Sequence, residues 1–186
     1  DGGFYLPVYL ELGRKYPELL RFSANGDFIE QIRITAKNRM IQPSIMPISS
    51  DSAWAYFRNS STNLDARELF AAKTLDGGKS WSKPEMTNLT NPDSSLEVVN
   101  LADGRYLMVY NQDNRSHLNL AISVNGLYWR KIYELENTPG DEFSYPSVHV
   151  NNGYIDILYT NNRKTIKHVR FNREWLSEVI KHATVY

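Results

Sequence analysis

Cysteine is absent from the 186 residues of this chain, and neither basic nor acidic side chains are in excess. The lack of cysteine excludes a disulfide-stapled scaffold, thiolate metal sites and a cysteine nucleophile. Because 21 basic residues balance 21 acidic ones, the net charge is zero. A dedicated nucleic-acid-binding protein usually carries a basic excess, so this balance argues against that class.

Long hydrophobic runs and metal-ligand patterns are also missing. No apolar segment approaches the roughly 20 residues that a helix needs to span a bilayer. The histidines show no metal-binding spacing with carboxylates. We therefore predict no metal, no cofactor, no nucleic-acid partner and no membrane span. The chain opens at Asp1-Gly2-Gly3 without a methionine or a signal-peptide pattern, so we expect further residues before it in the natural protein.

What the chain does contain is a globular apolar content, organised as a repeat. Hydrophobic residues make up 41% and aromatic residues 12% of the sequence, which is enough for a core. Short segments rich in Val, Ile, Tyr, Phe and Trp recur about 50 residues apart, which predicts strands. The predicted strands form three sets of equivalent positions that repeat in phase. The first set is 19–23, 69–74, 118–123 and 166–172, the second is 42–48, 95–101 and 144–150, and the third is 54–58, 106–111 and 154–160.

The turns between these segments are short, which predicts antiparallel pairing of neighbouring strands. Units of about four strands in about 50 residues are typical of β-propeller blades. The predicted fold class is therefore an all-β propeller, with blade repeats at 1–40, 41–93, 94–141 and 142–186. Only the segment 172–182 has helical character, with Asn172 as its N-cap. The apolar residues on one face of that helix are Trp175, Leu176, Val179 and Ile180.

A turn motif follows the strand 69–74. The sequence from Thr74 to Trp81 fits the Asp-box pattern Ser/Thr-x-Asp-x-Gly-x-Ser/Thr-Trp at every fixed position. Asp76 can accept backbone N–H groups within the turn, and Gly78 supplies a conformation that other residues avoid. The ring of Trp81 is expected to pack under the loop. Shorter copies occur at 123–129 and 23–26, so this motif indicates fold rather than chemistry.

Beyond the Asp box, much of the chain resembles the sialidase (neuraminidase) superfamily, specifically its bacterial group with BNR repeats. The resembling stretches are Leu6–Tyr9, Ile41–Ser44, Tyr56–Arg58, Asn91–Ser94, Leu101–Arg105, Val109–Asn111, Phe143–Ser147 and Ile166–Val169. The resemblance implies a six-bladed propeller with a glycan site on one face. It also favours a secreted or periplasmic location.

In an antiparallel meander, the starts of innermost strands share a face with the loops between second and third strands. This face collects Gln42, Glu97 and Tyr145 at or near strand starts. Strand ends and loops add Arg58, Asn111, Arg115 and Arg163. Arginines gathered on one face of a neutral protein indicate an anionic ligand, because a guanidinium group pairs bidentately with a carboxylate.

The resemblance suggests a role for each of these positions. Sialidases hold the substrate carboxylate with three arginines and use a tyrosine as the nucleophile. Arg58 resembles the second arginine, Arg115 the third, and Tyr145 the nucleophile. Arg163 and Asn111 are further substrate-binding candidates, although Arg163 also suits a surface loop. Tyr145 before Pro146 also suits an aromatic wedge between blades.

The family's catalytic glutamate aligns with Gln42, which cannot take a proton. Glu97 or Glu142 would then have to act as the base, although neither matches the family position. The first arginine and the acid/base aspartate of the family have no counterpart in this chain. The sequence therefore leaves three functions open: a sialidase-like hydrolase of acidic terminal sugars, a non-catalytic glycan-binding propeller, and an interaction scaffold.

The chain length limits the propeller. At about 50 residues a blade, the chain holds about 3.7 four-stranded blades, whereas closed propellers have four to eight. An incomplete ring would leave apolar blade faces exposed. We therefore expect either a fragment of a propeller of about 300 residues or closure by self-association with another copy. In either case we expect the isolated chain to be inactive.

Overall fold

The computed structural model describes residues 2–63 and 67–183. Residue 1 and residues 184–186, at the ends of the first and last predicted repeats, lie outside the described residues. Within the described ranges, fourteen strands form four antiparallel sheets, and one helix follows the last of these strands. The first sheet contains β1 (Phe4–Leu10), β2 (Tyr16–Phe22) and β3 (Phe28–Arg33). The second contains β4 (Met40–Pro47), β5 (Ala53–Asn59), β6 (Glu68–Thr74) and β7 (Glu85–Thr90).

The third sheet contains β8 (Glu97–Asn100), β9 (Tyr106–Asn111), β10 (His117–Ser123) and β11 (Arg130–Asn137). The fourth contains β12 (Phe143–Asn151), β13 (Tyr154–Asn161) and β14 (Thr165–Asn172), and helix α1 spans Arg173–His182. Consecutive strands pair within every sheet. The innermost strand β8 contacts β4 on one side and β12 on the other. This arrangement is a β-propeller of blades stacked around an axis, and it confirms the predicted fold class.

Two of the four sheets have three strands rather than the four expected of a blade. The turn at 23–26 joins β2 to β3 in the way that the Asp box joins β6 to β7. Strand β1 therefore occupies the second position of its blade, and no described strand fills the innermost position. In the fourth sheet, β14 is the third strand, and α1 follows it where a fourth strand would begin.

The core lies between adjacent sheets rather than within any one of them. The first and second sheets enclose one cluster, which includes Leu19, Phe57 and Phe70. The second and third enclose another around Tyr56 and Trp129. A third cluster fills the space between the third sheet, the fourth sheet and α1. The middle strands of the second and third sheets bury both of their faces, so their sequences read as nearly continuous apolar runs, whereas β13 in the fourth sheet alternates buried and exposed residues.

The helix behaves as its sequence predicts. The side chain of Asn172 accepts a hydrogen bond from the N–H of Trp175 at 2.9 Å, which caps the first turn. Leu176 is buried, and the other apolar residues of the same face pack against the third core cluster. None of the described helices is long and apolar enough to cross a membrane.

The Asp box is a hairpin turn closed by its own side chains. The Asp76 carboxylate accepts hydrogen bonds from Ser80 N–H and from Thr74 Oγ1, both at 2.9 Å. The bonds from Ser80 and Thr74 hold the pKa of Asp76 at about 2. Thr74 Oγ1 also accepts from Gly78 N–H at 3.0 Å, and Trp81 Nε1 donates to the Gly78 carbonyl at 3.1 Å. The predicted structural role of all four motif residues is consistent with these contacts.

The Asp box and its shorter copy at 123–129 are each also bonded to the preceding blade by a tyrosine. The Tyr5 hydroxyl donates to the Gly77 carbonyl at 2.7 Å, and the Tyr56 hydroxyl donates to the Gly126 carbonyl at 3.0 Å. In the shorter copy, Trp129 Nε1 donates to the same Gly126 carbonyl at 3.1 Å. These two turns therefore connect neighbouring blades as well as neighbouring strands. They lie at the edge of the sheets opposite the starts of the innermost strands.

Gly126 is the position where this clamp leaves no space. Its φ is 83°, and an added Cβ would lie 2.5 Å from Trp54 Nε1 and 2.9 Å from the Tyr56 hydroxyl. We expect Gly126→Ala to lower the free energy of unfolding by about 1–2 kcal/mol for the left-handed backbone, with about 1–3 kcal/mol more for overpacking. Urea denaturation measures the loss.

Gly104→Ala is the matched control, because Gly104 has a φ of 84° and open space around its Cβ position. It should show the backbone cost alone. Equal losses for the two variants would mean that the close packing of Gly126 against the second blade contributes nothing to stability.

Candidate functional site

Two innermost strands begin with the same backbone irregularity. The pairing of β4 with β5 shifts register between Ile41 and Ser44, and that of β12 with β13 shifts between Ser144 and Ser147. Within these bulges, Gln42 has a φ of 46° and Tyr145 a φ of 54°. Each precedes a proline, which further restricts its backbone. Strained non-glycine residues in bulges cluster at functional sites, so Gln42 and Tyr145 are candidates on structural grounds.

Arg58, at the end of β5, connects several of the predicted residues. Its Nε donates to Asp93 Oδ1 at 2.7 Å, and its Nη1 donates to Gln42 Oε1 at 2.9 Å. Burial disfavours the charge of Arg58, but the hydrogen bond to Asp93 and the neighbouring Tyr145 hydroxyl outweigh burial and raise its pKa. Arg58 is therefore a permanently charged group fixed at the base of the site.

Arg115 approaches the same tyrosine from the loop after β9. Its guanidinium carbon lies 5.6 Å from the centre of the Tyr145 ring, over its face. Nη1 donates to Glu142 Oε1 and Nη2 donates to the Asp93 carbonyl, both at 2.9 Å. The structure thus brings Arg58 and Arg115 to Tyr145, although the three residues are far apart in the sequence.

Glu142 is the counter-ion of two arginines. Arg163 Nε lies 3.0 Å from both of its carboxylate oxygens, in addition to the contact from Arg115. Burial pushes the pKa of Glu142 upward, but hydrogen bonds from Arg163, Arg115 and Ser144 outweigh it and hold the pKa below its ordinary value. A carboxylate held ionised in this way is a poor proton acceptor. Arg163 itself is mostly exposed, at 68% of its side chain.

Glu97, at the start of β8, is the opposite kind of carboxyl group. Burial raises its pKa to about 7, although a hydrogen bond from Ser44 Oγ at 3.2 Å favours the ionised form. Among the described residues no cation forms an ion pair with it. Of the two glutamates considered as a base, Glu97 is therefore the one that can exchange a proton near neutral pH.

Gln42 bridges two strands through its amide. Besides accepting from Arg58, it donates from Nε2 to the Tyr9 hydroxyl at 3.4 Å. The amide of Gln42 orients the guanidinium group of Arg58 and the phenol of Tyr9, but it cannot act as a base.

Asn111 lies beneath the site rather than on its surface. It is fully buried, and its Nδ2 donates to the carbonyls of His117 at 3.0 Å and Phe143 at 2.9 Å. Its Oδ1 accepts a hydrogen bond from Ser94 Oγ at 2.5 Å. Asn111 therefore fastens the loop that carries Arg115 to the start of β12, and its polar atoms are used within the protein.

Asp93 is the site residue that the sequence analysis did not single out. It lies in the loop between β7 and β8, within the stretch Asn91–Ser94 that already resembled the sialidase family. This loop precedes an innermost strand and so opens on the same face as Gln42 and Tyr145. The position of Asp93 just before an innermost strand was the feature of the sequence that could have identified it as a site residue. Together, the guanidinium groups of Arg58, Arg115 and Arg163 face the carboxylates of Asp93 and Glu142.

No group of three or more His, Asp or Glu side chains gathers as metal ligands among residues 2–63 and 67–183. The side chains that the structure gathers at this site are its arginines, its carboxyl groups and the half-exposed phenol of Tyr145.

The fold is a β-propeller of the sialidase type. Residues 1–157 match the BNR repeat-like domain family, and the chain belongs to that family. A comparison with curated proteins gave no match.

Solved structures share the fold. The chain is similar to the NanB sialidase of Streptococcus pneumoniae, with 11% identity and a TM-score of 0.69 over 92% of this chain and 29% of that one. It is similar to Trypanosoma rangeli sialidase in complex with sialic acid, with 14% identity and a TM-score of 0.66 over 96% of this chain and 31% of that one. It is also similar to an alpha-L-arabinanase of Penicillium chrysogenum, with 18% identity and a TM-score of 0.57 over 72% of this chain and 46% of that one. The chain thus spans about a third of the length of the sialidases it matches.

The partly buried carboxyl group of Glu97 predicts a pH-dependent stability. In the unfolded chain this group titrates near its ordinary value of 4.5, whereas in the folded protein it titrates at about 7. Its contribution is therefore complete below about pH 4.5 and is lost as the pH rises to about 7. We expect a total loss of at most about 3.5 kcal/mol, at about 1.4 kcal/mol for each pKa unit.

Glu97→Gln should remove this dependence, because the amide stays neutral at every pH. Urea denaturation between about pH 4.5 and pH 8 measures it. Glu85→Gln, at an exposed carboxyl group of β7, is the control and should follow the wild type. A Glu97→Gln profile parallel to that of the wild type would contradict the assignment.

Proposed function

We propose that this chain contributes the carboxylate-binding wall of a sialidase-like glycoside hydrolase that acts on an acidic terminal sugar. One observation carries the proposal: the strained bulge of β12 presents Tyr145 between Arg58 and Arg115. Membership of the BNR repeat-like family and the shared fold of sialidases and an arabinanase support it.

The arginines would hold the ligand. A guanidinium group offers paired N–H donors that match the two oxygens of a carboxylate. A sugar carboxylate bound between Arg58 and Arg115 would place its ring against the exposed face of Tyr145.

Tyr145 would then be the nucleophile. Its phenolic oxygen would bond to the anomeric carbon as the bond from that carbon to the leaving oxygen breaks, and an acid from outside this chain would protonate the leaving oxygen. Water would then release the sugar from the tyrosine. A neutral phenol suits an anionic sugar better than a carboxylate, which the substrate would repel. The phenolic proton needs an acceptor. Glu97 is the candidate, because its pKa of about 7 suits proton exchange and its strand β8 lies between β4 and β12.

A second function is favoured by Gln42. The resemblance to sialidases implies a glutamate base at this position, and the glutamine present is engaged with Arg58 and Tyr9. A glycan-binding propeller without catalysis would keep the arginines and dispense with the base. The two functions share the ligand and differ in turnover.

Ligand binding depends on Arg58 in both functions. We expect Arg58→Ala to weaken the binding of N-acetylneuraminic acid by about 10- to 100-fold, because a charge-assisted hydrogen bond contributes about 1.5–3 kcal/mol. Isothermal titration calorimetry on the full-length protein measures the affinity. Arg21→Ala, which removes an arginine paired with Glu30 on outer strands, should leave it unchanged. An unchanged affinity for Arg58→Ala would favour an interaction scaffold instead.

Turnover separates the hydrolase from the binding protein. We expect Tyr145→Phe to abolish hydrolysis of a fluorogenic sialoside or uronide while retaining sugar binding, because only the nucleophilic oxygen is lost. Gln42→Glu is the companion variant, since it restores the base that the family resemblance implies. Sugar binding without turnover in the wild type and in Gln42→Glu would refute the hydrolase and establish the binding function.

A further inference from the structure

We propose that Asp93 is a built-in counter-ion that competes with the ligand carboxylate for Arg58 and so sets the charge of the sugar that the site accepts. This inference rests on the proposed function for its ligand and deepens it by naming a specificity-determining residue. It starts from one observation: Asp93 contacts both arginines that flank Tyr145.

The contacts are made by different parts of the residue. The Asp93 carboxylate accepts from Arg58 Nε at 2.7 Å, and its backbone carbonyl accepts from Arg115 Nη2 at 2.9 Å. The carboxylate therefore occupies a donor that a ligand carboxylate would otherwise use. The carbonyl positions the second arginine and would be unaffected by a change of side chain.

The loop holds Asp93 in this place from below. Asn91 is fully buried, and its amide accepts from Ser94 N–H at 3.1 Å and donates to the Ser94 carbonyl at 2.8 Å. Between them, Asp93 has a φ of 56°, a conformation that Asp and Asn tolerate better than most residues. The side chain is thus presented to Arg58 by a fixed backbone.

Exposure indicates the order in which a ligand meets these groups. The Asp93 side chain is 46% exposed, whereas that of Arg58 is 13% exposed. An incoming carboxylate therefore encounters the negative charge of Asp93 beside the guanidinium that it must reach. Two carboxylates at one guanidinium repel each other, and partial burial strengthens the repulsion. The repulsion from Asp93 therefore weakens binding least for a ligand whose negative charge is weak or lies far from Asp93.

The variant that tests this is Asp93→Asn, which removes the charge and keeps an oxygen acceptor in the same backbone conformation. Acetate is the first probe, because it tests the carboxylate site without any sugar. Its binding is followed by NMR through the Arg58 Nε–H resonance of the full-length protein. We expect Asp93→Asn to bind acetate about tenfold more tightly than the wild type.

Asp113→Asn is the matched control. Asp113 lies in the loop between β9 and β10 on the same face and also has a positive φ, of 62°. Its substitution removes one negative charge without touching Arg58, and should leave acetate binding unchanged. An unchanged affinity in Asp93→Asn, or an equal gain in Asp113→Asn, would overturn the proposal. If Asp93→Asn does not fold, Asp93→Ser supplies the neutral side chain and is judged by the same criteria.

Charge selectivity distinguishes a specificity role from a structural one. N-acetylneuraminic acid and its methyl ester differ in the charge of the carboxyl group and in one methyl group, and the same two ligands are compared in the wild type and in Asp93→Asn. Asp93→Asn should tighten binding of the acid and leave binding of the ester unchanged, whereas a distorted site would alter both. A parallel change for both sugars would overturn the proposal.

The two probes also separate this inference from the proposed function. If Asp93→Asn tightens acetate binding while no variant binds either sugar, the counter-ion role stands and the glycan function fails. If the wild type binds the acid and Asp93→Asn changes neither acetate nor acid affinity, the glycan function stands and the counter-ion role fails.

Discussion

The burial of both faces of the middle strands in the second and third sheets is the constraint on which the rest of the structure depends. Strand β5 places Tyr56 in the core shared with the third sheet and Phe57 in the core shared with the first. A blade therefore has no complete core of its own and is stabilised by its neighbours. The apolar side chains of the first sheet that remain exposed, such as Phe4 and Phe28, belong to a blade packed on only one side.

The same stacking creates the site. Innermost strands converge on the axis, so bulges at the starts of β4 and β12 bring Gln42 and Tyr145 to a common face. Loops from the intervening blade supply Asp93 and Arg115, and buried asparagines fasten those loops from below. The Asp-box turns lie at the other edge and hold the blades in register through Tyr5 and Tyr56. Stability and ligand contacts are thus assigned to opposite edges of the sheets.

Much of the fold was predictable because its signals are local. The strand predicted at 54–58 lies within Ala53–Asn59, the strand at 106–111 has the same bounds, and Asn172 caps the helix as expected. The strand predicted at 95–101 is shorter, Glu97–Asn100, because Leu101 turns to bond with Arg105. Periodicity marks where an apolar run lies, but loop hydrogen bonds decide where pairing stops.

The sequence by itself determined the repeat, the Asp box, the all-β class and the face that collects Arg58, Arg115 and Tyr145. These follow from residue types at fixed spacings, which act over a few neighbours in the chain. Only the tertiary structure decided how the charges pair. Glu142 pairs with two arginines, and Glu97 is partly buried without a cation partner among the described residues. The polar atoms of Asn111 bond within the protein, and Asp93 lies against Arg58. Ionisation and pairing depend on burial and on distances between separate blades, and no local pattern encodes those distances.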